Sequence, residues 1–163
     1  MADGHAPPTP HGPSRTDRDP LVVRVRRLVP TARLPARAYP DDAAFDLCAA
    51  EACTLAPGTR AVVGCGIALE LPPGTAALTL PRSGLAARHG LTLVNAPGLI
   101  DAGYRGEVRL ILQNTDREET FSVATGDRIA QLLIVGLPAV RLDEVEELSA
   151  SERSARGFGS SGV

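Results

Sequence analysis

Asn95, Asp101 and Tyr104 stand close together in the stretch NAPGLIDAGYRGEVRL, residues 95 to 110. An aspartate can take a proton from water, and a tyrosine, one of only two in the chain, offers a flat ring with a hydroxyl at its edge. Glycine-marked turns at Pro97-Gly98 and around Gly103 and Gly106 bracket the acid and the phenol. The same residues also suit an ordinary turn acid and a packed tyrosine.

Four further stretches carry chemistry of a related kind. In PRSGLAARHGL, Arg82 supplies a fork for phosphate oxygens, Ser83 a hydroxyl, and Gly84 lets backbone N–H groups come close. A helix starting there would add its first N–H groups, although a Ser-capped turn with a solvated arginine has the same sequence. In GDRIAQLLI, Gln131 interrupts an apolar strand and needs a polar partner, whether a ligand or a neighbouring backbone group. In DDAAFDLCA, Asp46 follows Phe45 in an apolar setting, either as a functional acid or as a strand start, while Asp41 and Asp42 suit a solvated turn. The last stretch, RSARGFGSSG, joins Arg153, Arg156 and Phe158 to small residues with no core to enter. Phe45, Tyr104 and Phe158 are three of the chain's five aromatic residues, which favours a site that holds a flat ring.

The elements that position these groups read as strands. LVVRVRRLV, RAVVGCGIALEL, AALTL, LTLVN, EVRLILQN, TFSV and RIAQLLIVGL are short apolar or alternating runs separated by Pro/Gly-rich turns. This pattern predicts an all-β sandwich or barrel, with EVEELSASER carrying at most a helical turn. LTLVN and EVRLILQN are expected to pair, so that Asp101 and Tyr104 lie near the bent end of a hairpin. Residues 1–20 are rich in Pro, Gly, Ser, Thr and charge, and read as a disordered extension. Residues 21–148 form the expected barrel domain, and residues 149–163 a flexible Gly/Ser-rich C-terminal tail.

The 163 residues fit a single domain. Seventeen Lys plus Arg against nineteen Asp plus Glu leave a net charge of −2, without the basic surplus that duplex nucleic acid requires. Cys48, Cys53 and Cys65 form no CxxC pair and have no histidine cluster beside them, so they read as free thiols of a reducing compartment. The N-terminus lacks an apolar signal core, and the longest apolar run, Ile129 to Val140, is broken by Gln131, Gly136 and Pro138. The expectation is a soluble cytoplasmic protein without membrane or nucleic-acid partners.

In identity and order, AAFDL, PRSGLA, NAPGLIDAGYRGEV, GDRIAQL and RSARGFGSSG resemble the five motifs of the trimeric dUTPase family, the dUTP pyrophosphatases, across about residues 21–162. The resemblance implies a jelly-roll-like β-barrel, assembled as a homotrimer whose active sites combine motifs from all three chains. It implies hydrolysis of dUTP to dUMP and pyrophosphate, with Mg²⁺ held chiefly by the substrate phosphates and Asp46 as an outer-shell partner through water. Asp101 corresponds to the water-activating base. Asn95, Gly98 and Ile100 correspond to the uracil pocket, and Tyr104 to the ring against the deoxyribose. Arg82, Ser83, Gly84 and Gln131 match the phosphate contacts. In the mobile tail, Arg153 matches the γ-phosphate arginine, Phe158 the aromatic that stacks on uracil, and Gly159, Ser160 and Ser161 further triphosphate contacts.

The chain departs from the family pattern in places. Ser154 and Arg156 replace the first two glycines of the last motif, so either Arg153 or Arg156 can serve the phosphate, and Ala44 and Phe45 replace the commoner Gly and Tyr. dCTP deaminases resemble the chain through the second and third motifs. They use a catalytic glutamate where this chain has Ile111, which leaves deamination without a proton shuttle. A nucleotide-binding module that has lost catalysis would be expected to have shed Asp101 or the tail, and both are present.

Overall fold

The computed structural model describes residues 20–151 and 155. Ten strands and one short helix follow in the order β1 (Arg24–Arg27), β2 (Phe45–Cys48), β3 (Cys53–Leu55), β4 (Arg60–Glu70), β5 (Thr75–Leu80), α1 (Ser83–His89), β6 (Leu91–Leu93), β7 (Gly98–Asp101), β8 (Glu107–Asn114), β9 (Phe121–Val123) and β10 (Arg128–Gly136). Two four-stranded antiparallel sheets, ordered β1-β4-β8-β6 and β2-β10-β5-β7, are joined by the small pair β3-β9. From β4 to β8 every connection carries the chain from one large sheet to the other, the alternation of a jelly-roll-like β-fold. The all-β expectation holds, and no regular element follows Gly136 among the described residues.

The core lies between the sheets and is filled by the inward residues of alternating strands. On β8, Val108, Leu110, Leu112 and Asn114 point inward against Leu47, Leu55, Ile67 and Leu91. Asn114 is fully buried and satisfied: its amide donates to the Leu55 and Glu119 carbonyls at 3.1 and 2.8 Å, and its oxygen accepts the Asp116 N–H at 2.9 Å. β4 is buried along most of its length because it bulges. Gly64 to Ala68 spans four steps on β4 against two, from Arg109 to Glu107, on β8.

The expected pairing of LTLVN with EVRLILQN is present in the register Leu91–Asn114, Thr92–Gln113 and Leu93–Leu112. The residues between them form more than a simple hairpin tip. Gly98–Asp101 leaves that sheet and pairs with β5 in the other one, from Thr79–Gly98 to Ala76–Asp101, after a cis Ala96–Pro97 peptide. Gly98 and Ile100 are buried while Leu99 and Asp101 face out. The stretch that carries the acid and the phenol thus bridges both sheets.

Candidate active site

β7 is the edge strand of its sheet, so one side of its backbone is not engaged by β5 and presents N–H and C=O groups in fixed directions. Against it lies a cavity of about 170 Å³ lined by Asn95, Gly98, Ile100, Asp101 and Tyr104, together with Thr79 and Glu107. Five residues singled out in the sequence therefore share one cavity. Gly98 is required by packing, because a Cβ there would collide with Thr79 Oγ1 and approach Asn95 Nδ2 to 3.1 Å. Ile100 belongs to the core, so its contribution to the cavity rim is chiefly backbone.

Tyr104 is half-exposed, neither a core tyrosine nor a loose surface one. Its N–H donates to the Asp101 carbonyl at 3.0 Å, its hydroxyl donates to the Glu107 carbonyl at 3.0 Å, and its ring covers the backbone of Gly106. Arg105 folds back to donate to the carbonyls of Ala102 and Tyr104 at 2.6 and 2.9 Å, which stiffens the same turn. Asp101 is exposed, and no described residue engages its carboxylate. A held phenol beside an open carboxylate suits a small ring-bearing ligand and an adjacent water.

The second cluster sits at the ends of β2, β5 and β10. Asp46 is 8% exposed, and its two oxygens lie 3.1 Å from Arg82 Nε and 3.2 Å from Arg128 Nη1. Arg82 Nη1 also donates to the Arg128 carbonyl at 3.1 Å, which fixes the plane of the guanidinium and leaves its remaining N–H groups for an anion. Gln131 is directly opposite Asp46 on β2 and Leu80 on β5, so its side chain shares the face of Asp46. Helix α1 does begin at Ser83, but its N-cap is Arg82 in an extended conformation, and no side chain caps it. The Ser-capped turn with a solvated arginine is therefore not what forms. The first N–H groups, those of Ser83 and Gly84, have no intrahelical partner and suit an anion.

Arg128 is a residue the sequence reading missed, although it stands inside GDRIAQL. A cavity of about 330 Å³ beside Asp46 and Arg128 is also lined by Arg33 and Arg37, for which no spacing signal exists. Arg37 lies 4.5 Å above the Phe45 ring. Phe45 thus serves as the platform for a cation. Cys48, Cys53 and Cys65 are free thiols, and burial raises Cys65 to about 12, with Glu107 and Cys48 adding to the effect.

No group of three His, Cys, Asp or Glu able to hold a metal occurs among the described residues. Asp46, already bonded through both oxygens, fits a hydrated Mg²⁺ reached through water and carried by phosphates, and does not fit a protein cage. Arg153, Phe158, Gly159, Ser160 and Ser161 lie outside the described residues, as do residues 1–19. Position 111 holds isoleucine, in register with Val62 on β4. No helix among the described residues is long and apolar enough to cross a membrane.

Comparison with known proteins agrees with this geometry. The family model described as dUTPase matches residues 31–162. The deoxyuridine 5'-triphosphate nucleotidohydrolase of Thermobifida fusca is 56% identical over 140 residues, covering 86% of this chain and 78% of the relative. That of Leifsonia xyli is 55% identical over 130 residues, covering 80% of this chain and 86% of the relative. A Staphylococcus bacteriophage 80alpha dUTPase solved with dUpNHpp superposes with a TM-score of 0.81 at 31% identity, covering 87% of this chain and 99% of the phage protein. A dUTPase from phage phi11 of S. aureus, solved with the coordination of a structural Mg(II) ion, superposes with a TM-score of 0.73 at 28% identity, covering 79% and 99%. With its first four motifs carried on a jelly-roll-like fold and its sequence matched over most of its length, the chain belongs to the dUTPase family.

Proposed function

We infer that the protein hydrolyses dUTP to dUMP and pyrophosphate. The observation that carries this reading is the cavity at the β7 edge, where Asn95, Asp101 and Tyr104 converge on a strand with open backbone groups. Asn95 and the backbone at Gly98 and Ile100 pair with the edge of uracil and leave a cytosine amino group unmatched. Loss of a required hydrogen bond at such a site discriminates by ~10⁴-fold or more. Tyr104 packs against the deoxyribose and leaves no room for a 2′-hydroxyl. Asp101 orients a water and takes its proton as the water oxygen bonds to the α-phosphorus, and the bond to the bridging oxygen of pyrophosphate breaks.

Arg82, Ser83, Gly84 and Gln131 hold the phosphates, with Ser83 toward the bridging oxygen where negative charge develops. When bound, Mg²⁺ on the substrate phosphates neutralises part of the triphosphate charge, with Asp46 its water-mediated partner. The hairpin cavity and the Asp46 cavity share no lining residue, which supports a site assembled from more than one copy of the chain. The assembly is a homotrimer. Residues 21–148 form its barrel, residues 1–20 are an extension with no part in the site, and residues 149–163 close over a site through Arg153 or Arg156, Phe158, Gly159, Ser160 and Ser161. The three free thiols support a cytoplasmic location.

The test is purified protein with each deoxynucleoside triphosphate and Mg²⁺, monitored for pyrophosphate and for ammonia. Pyrophosphate from dUTP alone is expected. Ammonia from dCTP, or pyrophosphate from all substrates alike, would overturn the assignment.

A further inference from the structure

Glu107 lines the hairpin cavity, yet the reaction as derived gives its carboxylate no role. Its surroundings are specific. Oε1 accepts the Gly66 N–H at 2.8 Å, across the bulge where β4 and β8 lose register. Gly64 has no side chain, and the Glu107 carboxylate occupies the space, with Cδ 3.1 Å from where a Cβ at position 64 would stand. Gly66 adopts a left-handed φ of +65°, where a Cβ would strike Val29, Ala32 and Ala50. Its carbonyl accepts the Leu28 N–H at 2.8 Å, and the Gly64 carbonyl accepts the Ala50 N–H at 2.9 Å. The bulge is thus held from several sides, and the carboxylate is anchored to a rigid point.

The other end of Glu107 faces the candidate site. Its backbone carbonyl accepts the Tyr104 hydroxyl at 3.0 Å, and Tyr104 in turn bonds to Asp101 through its N–H. We propose that Glu107 is a positioning residue for sugar selectivity, whose carboxylate locks the start of β8 onto the β4 bulge and so fixes the carbonyl that holds the Tyr104 hydroxyl. The inference rests on the reading of Tyr104 as the wall against the deoxyribose. A ring used as a steric filter works only while it cannot recede, and displacement by about 1 Å is enough to change rates by about a hundredfold. A carboxylate that merely filled the bulge would affect stability and leave selectivity alone.

The experiment compares kcat/KM for dUTP and for UTP, with Mg²⁺, in the full-length wild type and in Tyr104→Ala, Glu107→Gln, Glu107→Asp and Glu107→Ala. Tyr104→Ala sets the scale for a lost sugar wall. Glu107→Ala and Glu107→Asp, which remove or shorten the arm to Gly66, are expected to lower the preference for dUTP by about tenfold or more. Glu107→Gln, whose amide oxygen can still accept the Gly66 N–H, should keep the preference within about threefold of wild type. If Glu107→Ala does not fold, Glu107→Asp decides. A wild-type preference that Tyr104→Ala reduces but neither shortened variant alters would overturn the inference while leaving the functional reading intact. A wild type without dUTP preference would overturn the functional reading, and the inference with it.

Discussion

Asp46 is held by two arginines at almost the same distance, and solvent should make those two contacts unequal. The ion pairs measure 3.1 Å to Arg82 and 3.2 Å to Arg128, with side-chain exposures of 26% and 54%. At an effective dielectric constant near 20, either pair has a gross attraction of roughly 5 kcal/mol before desolvation and ordering are subtracted. The Arg128 pair should retain only about 0.2–1 kcal/mol, the range of exposed pairs. Arg82 is mostly buried and is also fixed by the Arg128 carbonyl, so its pair should retain about 1.5–3 kcal/mol. Double-mutant cycles using Asp46→Asn with Arg82→Gln and with Arg128→Gln, measured by urea unfolding at one fixed protein concentration, give the two couplings directly. Asp46→Asn alone should cost about 2–3 kcal/mol and lower Tm by about 5–10 °C. Adding 1 M salt, which shortens the screening length to about 3 Å, should remove the Arg128 coupling and spare most of the Arg82 coupling. Equal couplings, or a larger one for Arg128, would refute the argument that burial ranks these contacts.

Asp101→Asn should lower turnover by about 10²–10⁴-fold while binding of a non-hydrolysable dUTP analogue, measured calorimetrically, changes little; near-normal turnover would remove Asp101 from its role. Trimers reassembled from equimolar Asp101→Asn chains and chains truncated after Leu148 should recover roughly a quarter of wild-type sites if acid and tail come from different copies, and activity at the parental background would refute that architecture. The raised Cys65 thiol stabilises the fold fully below its ordinary value of 9.0, and that stability is lost as pH climbs through about 12, because only the unfolded chain ionises readily in between. Cys65→Ala should therefore show an alkaline stability loss shallower by about 1.4 kcal/mol per pH unit across that window, and identical slopes in chemical denaturation would contradict it.

Much of the fold is legible because the long strands are apolar or alternating runs set off by turn residues. RAVVGCGIALEL, EVRLILQN and RIAQLLIVGL all became strands, and LTLVN found its expected partner in EVRLILQN. β7 is harder to read, since GLID has little pattern of its own and is a strand only by pairing with β5 on the opposite sheet. The need for glycine at position 98 comes from Thr79 and Asn95, which the linear sequence does not bring together. Asp46 and its arginines are equally nonlocal, with Arg128 eighty-two residues away.

Arg128 escaped notice for a further reason, which lies in the period of a strand. Residues 128 and 131 are an odd number of steps apart, so a regular strand would turn Arg128 and Gln131 to opposite faces. β10 is not regular: Arg128 aligns with Cys48, Ala130 with Leu47 and Gln131 with Asp46, a bulge that absorbs one residue. Cys48 and Asp46 lie on one face of β2, and the bulge brings both Arg128 and Gln131 onto that face. The β4 bulge plays the matching part at the other cavity, where the extra residues open the space that Glu107 fills beneath Tyr104. Each half of the proposed site is thus aimed by a break in strand register, a feature that period-two reading of a sequence smooths away. Regular pairing carried back from Gln131 without the bulge would set Arg128 opposite Ala49 instead of Cys48, turn it away from Asp46 and break one of its two ion pairs, although every strand would retain its alternation.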